Sequence, residues 1–268
     1  MRGVALLWQA LLDLWAPVTC VVCGCPWTEA GFCAAASASR GLRIWDEVPL
    51  CRRCAAGIGP PCRAVVGTGT GDLPLLAATE TTAVIAGVIH AWKYHGQRGL
   101  VGPLAAALAK SVRLLHPWEG CDLVPVPLHP RRLRARGFNQ SALLARVLAL
   151  HLGAGVREDL VARVRATAQQ ARLSDPEARM GNVVRAFRSP GCTARPVDRP
   201  LVVVDDVVTS GATVVEVVRA LSAADLPVVA VLAIATSLPG QGARAAKVAA
   251  ASPEGDHVAN KAARAQWR

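Results

Sequence analysis

Aromatic side chains are scarce in this 268-residue chain: one Tyr and three Phe, with aromatics at 4% although hydrophobic residues reach 52%. A core of this composition rests on Ala, Val and Leu, which suits an α/β sheet better than an aromatic-lined barrel. Uninterrupted apolar runs of the roughly 18 residues needed to cross a bilayer are also missing. The one segment resembling an export signal, Met1 to Trp15, is broken by Gln9 and Asp13, and Val4, Leu7, Leu11 and Leu14 recur at helical spacing. An amphipathic helix is expected there, in a soluble, cytoplasmic protein without membrane insertion. No GxxxxGK[ST] motif occurs, which excludes a P-loop nucleotide site. After residue 62 cysteine nearly vanishes, leaving only Cys121 and Cys192.

What is present begins with those cysteines, seven of which fall between Cys20 and Cys62. Cys20 and Cys23, then Cys51 and Cys54, form two CxxC pairs. In a reducing compartment such pairs point to metal rather than disulfides, and four thiolates suit a tetrahedral structural Zn²⁺. Cys25, Cys33 and Cys62 surround the set and leave another choice of four open. Gly67 to Pro74, GTGTGDLP, reads as a flexible exit from this module. The expected units are an N-terminal helix and Cys-rich zinc-ribbon-like module over 1–66, an α/β domain over 75–237, and a basic, Ala-rich, disordered tail over 238–268.

In the main unit, Val84, Val88 and Trp92 mark a helix within Thr79 to Tyr94, and a second helix is expected over Leu100 to Leu115. Cys121 to Pro127 reads as a buried strand followed by a loop. Asn139 or Ser141 caps a helix to about Leu152, and Asp159 to Val164 is a weaker strand. Ser174 with Glu177 forms a capping box for a helix to about Val184. Strand Leu201 to Val204, a helix to about Ala223, and strand Val228 to Ala235 complete the alternation. Strands alternating with helices imply a doubly wound, mostly parallel sheet.

The net charge of +11 is diffuse, and five Lys/Arg stand in the tail against Glu254 and Asp256. An Arg-rich, Ala-rich composition also follows from coding bias, so charge alone does not establish a nucleic-acid surface. Position says more. Asp205 and Asp206 follow an all-valine run, where the carboxyl ends of parallel strands open on a ligand crevice. Thr209, Ser210, Gly211, Ala212 and Thr213 come next: small and hydroxylic residues whose N–H groups converge at a helix N-terminus to form an anion cradle. Acids beside such a cradle match a sugar phosphate, acids to hydroxyls and loop to phosphate.

VVVDDVVTSGAT resembles the signature of type I phosphoribosyltransferases, an apolar strand, two acids and a T-[ST]-G loop. The resemblance implies that Asp205 and Asp206 hold the ribose hydroxyls of phosphoribosyl pyrophosphate, PRPP, and that Thr209 to Thr213 hold its 5-phosphate. VPVPLHPRRLRARGFNQ looks like the signature of ComF/GntX-like proteins, a competence-associated branch of that superfamily. HAWKYHG at His90 to Gly96 and the R-x-T-x-x-Q…L…R-x-x-N…A-F pattern from Arg165 to Phe187 agree. By this resemblance the fold is of the type I phosphoribosyltransferase kind. Arg131 and Arg136 would stabilise the leaving pyrophosphate with Mg²⁺, Pro127, Leu128 and Arg131 would contact it, and Cys20, Cys23, Cys51 and Cys54 would hold structural Zn²⁺. It also implies a rival role as a non-catalytic accessory of DNA uptake or single-stranded DNA processing, with a DNA-uptake protein as partner.

Overall fold

The computed structural model describes residues 19–25, 44–69, 71–94, 96–115, 120–165, 185–190 and 196–240. The helix expected from Met1, the helix capped by Ser174 and the basic tail from residue 241 onward lie outside them. A four-residue helix, α1 (Arg52–Ala55), follows Cys51. Then come strands β1 (Cys62–Gly67) and β2 (Asp72–Glu80), helix α2 (Ala83–Tyr94), a 3₁₀ turn over Arg98–Leu100, and helix α3 (Val101–Leu115). Strand β3 (Asp122–Pro125), helices α4 (Pro130–Arg136) and α5 (Gln140–Leu152), and the two-residue strands β4 (Gly155–Val156), β5 (Ala162–Arg163) and β6 (Phe187–Arg188) succeed them. Strand β7 (Leu201–Val208), helix α6 (Ala212–Ser222) and strand β8 (Val228–Thr236) end the series.

Six strands form one sheet in the order β1-β2-β8-β7-β3-β4, and β5 pairs separately with β6. Only β1 runs antiparallel within the larger sheet, through its hairpin with β2. The pairs β2/β8, β8/β7, β7/β3 and β3/β4 are parallel. The expected mixed α/β, mostly parallel sheet is therefore present.

Both faces are covered. On one, Ile85, Trp92, Leu104, Leu108, Leu144 and Leu148 of α2, α3 and α5 meet Val202, Val204 and Leu232. On the other, Val214, Val217 and Leu221 of α6, with Leu160 and Phe187, meet Leu75, Val203 and Val231. The valine runs suit central strands, because side chains on both faces of β7 are buried.

Three local readings change. The stretch read as a flexible exit is a β-hairpin, so the sheet begins at Cys62, inside the span assigned to the N-terminal module. Thr68 accounts for the turn: its backbone N–H and Oγ1 both donate to the Gly71 carbonyl, at 3.0 and 2.7 Å. Strand β7 does not stop at Val204 but carries Asp205 and Asp206 within it, since Asp205, Val207 and Val208 stay in register with Ala233, Ala235 and Thr236. The Arg-rich run after Pro127, read as a loop, is the helix α4. His129 caps it by accepting from the Arg131 N–H at 3.2 Å, Pro130 opens its first turn, and Gly137 ends it at φ +81°.

A cleft and a thiol cluster

Three elements deliver side chains to one cleft of about 390 Å³ at the carboxyl ends of β3 and β7. From β7 come Asp205, Asp206 and Val207, with Thr209 and Thr213 beyond. From α2 come Ala86, Ile89, His90, Lys93 and Tyr94, a stripe set by helical periodicity. From the β3–α5 connection come Val126, Pro127, Leu128, Arg132, Arg136, Asn139, Gln140 and Ser141. Asn139 ties that connection to the sheet: Oδ1 accepts from the Ser141 N–H at 3.1 Å, capping α5, while Nδ2 donates to the Val126 carbonyl at 3.0 Å. Arg163 closes the remaining side, its guanidinium 5.1 Å from the centroid of Phe187.

The acids are held in place. Asp205 Oδ1 accepts from Ser141 Oγ at 2.9 Å and from the Asp206 N–H at 2.8 Å. Asp206 Oδ2 pairs with Lys93 Nζ at 2.6 Å, and its Oδ1 accepts from the Val207 N–H at 2.7 Å. Burial and the neighbouring charge of Asp206 push the Asp205 carboxyl up to about 7. Burial, then Arg132, bring the Arg163 guanidinium down to about 10. Arg132 is lowered by burial and by Arg136 beside it. A cleft that forces cations together and raises a carboxylate suits a ligand with several negative charges and hydroxyl groups.

Next to the acids, the backbone from Val207 to Val214 encloses a small hollow at the N-terminus of α6. Gly211 is the N-cap, at φ +75°. A Cβ there would sit 3.3 Å from Val66 Cγ1, so glycine serves both the left-handed backbone and the close approach of β1.

The structure thus brings together Asp205, Asp206, Thr209, Ser210, Gly211, Ala212 and Thr213, and places Pro127, Leu128 and Arg136 across the cleft from them. Arg131 is not among the lining residues. It is exposed, because on a helix Arg132 and Arg136 share the inner face and Arg131 lies a third of a turn away. Reading the run as a loop hid this: once His129-Pro130 and Gly137 are taken as helix boundaries, the i, i+4 pair identifies itself. Lys93, Tyr94, Gln140, Ser141 and Arg163 were also missed as site residues. The family-like segment HAWKYHG contained the first two without giving them a role, and nothing in the sequence pointed to Arg163.

A second site lies beyond α2. The Sγ atoms of Cys20, Cys23, Cys51 and Cys54 are all within 4.8 Å of one another, with Cys23 and Cys51 3.7 Å apart. Thiolates at about 2.3 Å from a tetrahedral Zn²⁺ stand about 3.8 Å from each other, so the donor set fits such an ion. Among the described residues the two CxxC pairs are the four that converge; Cys33 lies outside them. Cys62 belongs to β1, where burial and then Glu80 raise its thiol to about 11. Cys25 is half-buried beside the cluster, and hydrogen bonds to Cys23 and Cys51 raise its thiol to about 12. Burial raises Cys20, but N–H donors of Cys23, Cys51 and Val22 outweigh this and bring it down to about 6, favouring the ligating thiolate. Gly24, at φ +69°, makes the turn of the first pair.

Together these features define a mixed α/β protein with a hydroxyl- and cation-lined cleft at its strand ends and a four-cysteine cluster able to bind a metal such as zinc. The chain is 33% identical over 213 residues to the DNA utilization protein YhgH of Salmonella typhimurium, covering 76% of this chain and 91% of that protein. It is 32% identical over the same shares to YhgH of Escherichia coli K12. Competence protein F of Haemophilus influenzae is 34% identical over 99 residues, 37% of this chain and 43% of that one. The chain belongs to the ComF/GntX-like family. No family model matches it. Among the described residues no helix is long and apolar enough to cross a membrane.

Proposed function

We propose that the cleft binds PRPP, or a closely related ribose 5-phosphate ligand, together with Mg²⁺, and that this binding serves DNA utilization, the role named for the YhgH relatives. One observation carries the reading. Two carboxylates sit on β7 against the Thr209–Thr213 turn at the start of α6, and Lys93, Arg132, Arg136 and Arg163 line the same cleft. Asp205 and Asp206 accept from ribose hydroxyls, Lys93 releasing Asp206 as they arrive. The loop N–H groups and hydroxyls take the 5-phosphate. Arg132 and Arg136, with backbone groups near Pro127 and Leu128, meet the pyrophosphate. Mg²⁺ arriving with such a ligand would supply charge neutralisation for its pyrophosphate. In a transfer reaction the bond from ribose C1 to the pyrophosphate oxygen would break as one from C1 to the acceptor's nucleophilic atom forms, the acceptor's proton would pass to solvent, and these arginines would stabilise the charge that develops on the departing pyrophosphate.

Calorimetric titration of PRPP with and without Mg²⁺ tests this. The Asp205→Asn, Asp206→Asn double variant should lose binding, and retained affinity refutes the site. Screening bases for pyrophosphate release then tests turnover. The thiol cluster is read as a structural Zn²⁺ site, and elemental analysis far below one zinc per chain refutes it.

A second reading is favoured by the exposed Arg131 and Arg134 on the outer face of α4: an accessory that contacts single-stranded DNA or a DNA-uptake protein. It calls for salt-dependent binding of single-stranded DNA that weakens when Arg131 and Arg134 become Ala. Absence of binding at low salt removes it.

A further inference from the structure

Arg136 is held from two directions by neutral groups. Its Nη1 donates to Gln140 Oε1 at 2.8 Å and its Nη2 donates to the Tyr94 hydroxyl at 2.9 Å, with the guanidinium carbon 4.8 Å from the centre of the Tyr94 ring. Neither partner is a carboxylate, and among the described residues Arg136 makes no ion pair. The partners come from separate elements, the end of α2 and the start of α5, and meet only because both line the cleft. Of five guanidinium N–H donors two are used, which leaves the others for a ligand.

Gln140 is an expensive way to hold an arginine. It is 1% exposed, and its Nε2 has no hydrogen-bond partner. The amide cannot be reversed to relieve this, because its NH₂ would then face the guanidinium. An apolar side chain of similar volume would avoid the unsatisfied donor, and a Glu would hold Arg136 more tightly while cancelling its charge. Gln alone fixes the arginine and leaves its charge available.

We propose that Gln140 and Tyr94 are positioning residues that hold Arg136 toward the cleft with its charge uncompensated, and that this clamp sets affinity for the pyrophosphate part of the ligand. The inference rests on the phosphoribosyl reading of the cleft and separates from it experimentally. Two probes are titrated by calorimetry into the full chain: inorganic pyrophosphate with Mg²⁺, and ribose 5-phosphate. Gln140→Glu should weaken pyrophosphate at least about tenfold while leaving ribose 5-phosphate within about threefold and the thermal midpoint unchanged or higher. Tyr94→Phe, at a half-exposed side chain that keeps its ring, should weaken pyrophosphate about threefold. Thr81→Asp places a new charge on the same cleft from the β2–α2 turn, without touching the Gln140 or Tyr94 contacts of Arg136, and serves as the control. If it costs pyrophosphate as much as Gln140→Glu does, or if Gln140→Glu and Tyr94→Phe both bind like wild type, the clamp is overturned. Wild-type protein that binds neither probe overturns the phosphoribosyl reading instead.

Discussion

Asp205 costs the folded chain stability, and replacing it with Asn should make the protein more stable as it becomes unable to bind. The carboxyl rises from an ordinary 3.8 to about 7, through burial and the charge of Asp206. Below pH 4 the group is protonated in both folded and unfolded chains and makes no difference. As pH rises from 4 to 7 the unfolded chain gives up this proton first, so stability falls, by at most about 1.4 kcal/mol per pH unit. Above pH 7 the full penalty stands. About three pKa units correspond to a ceiling of about 4 kcal/mol, of which about half should survive relaxation and water in an open cleft. Asn retains the acceptor for Ser141 Oγ and the Asp206 N–H, so little is lost in exchange. Urea denaturation of wild type and Asp205→Asn at pH 4, 5, 6, 7 and 8 should give stabilities within about 0.5 kcal/mol of each other at pH 4, already parting at pH 5, and separated by about 2 kcal/mol at pH 8, with the variant above. Titration of the thiol cluster is common to both proteins and cancels in the difference. A difference independent of pH, or a less stable variant at pH 8, would refute the account of Asp205. Ribose 5-phosphate affinity should vanish in the same variant at every pH, as expected where a binding site is kept at the expense of the fold.

Gly211→Ala forces a side chain into left-handed backbone 3.3 Å from Val66 Cγ1, and should cost about 1–2 kcal/mol in denaturation while weakening ribose 5-phosphate more than pyrophosphate. At Gly87 of α2 a Cβ would lie 3.1 Å from Val22 Cγ1, between the two CxxC residues of the first pair. Gly87→Val should therefore destabilise by about 1–3 kcal/mol, and Val22→Ala in the same chain should restore most of it. Purely additive effects would show that the cysteine module does not pack on α2 as described. Chelation of the metal should lower the thermal midpoint and also weaken pyrophosphate binding, because α2 carries Val84 and Gly87 toward the module and Lys93 and Tyr94 toward the cleft. Unchanged pyrophosphate affinity in metal-free, folded protein would sever that link.

The legible parts of this chain were those in which burial writes its own pattern. Val202 to Val204 and Ala230 to Ala235 are buried on both faces, and their continuous apolar runs gave the central strands, the parallel sheet and hence the position of Asp205 and Asp206. Helices α3 and α5 were found because their apolar stripes are long. The edge of the sheet was not, since β1 alternates its burial only over Cys62 to Gly67 and runs into Gly and Thr, residues that read as a turn. Two-residue strands such as β4 and β5 carry no period to detect.

The site was legible in proportion to how much of it lies in one segment. The acids and the hydroxylic loop are contiguous, and the two CxxC pairs announce a shared role even across a gap of 27 residues between Cys23 and Cys51. The basic half is different, because which arginine faces the ligand depends on whether the run is a loop or a helix. In a loop Arg131 is as good as Arg132; on α4, one position turns a side chain by about 100° and takes it out of the cleft. The cue lay in His129-Pro130 before the run and Gly137 after it, a cap and first-turn proline followed by a left-handed stop eight residues after the cap. Arg163 had no such cue. It reaches the cleft from a two-residue strand packed on Phe187, a contact between segments 24 residues apart that only tertiary structure makes. A sequence can therefore state which ligand charge this cleft expects before it can state which cations meet it, and the Arg131/Arg132 exchange is where that distinction becomes measurable: Arg132→Ala should weaken pyrophosphate at least about tenfold and Arg131→Ala by less than about threefold, and the reverse order would mean that α4 turns its other face to the ligand.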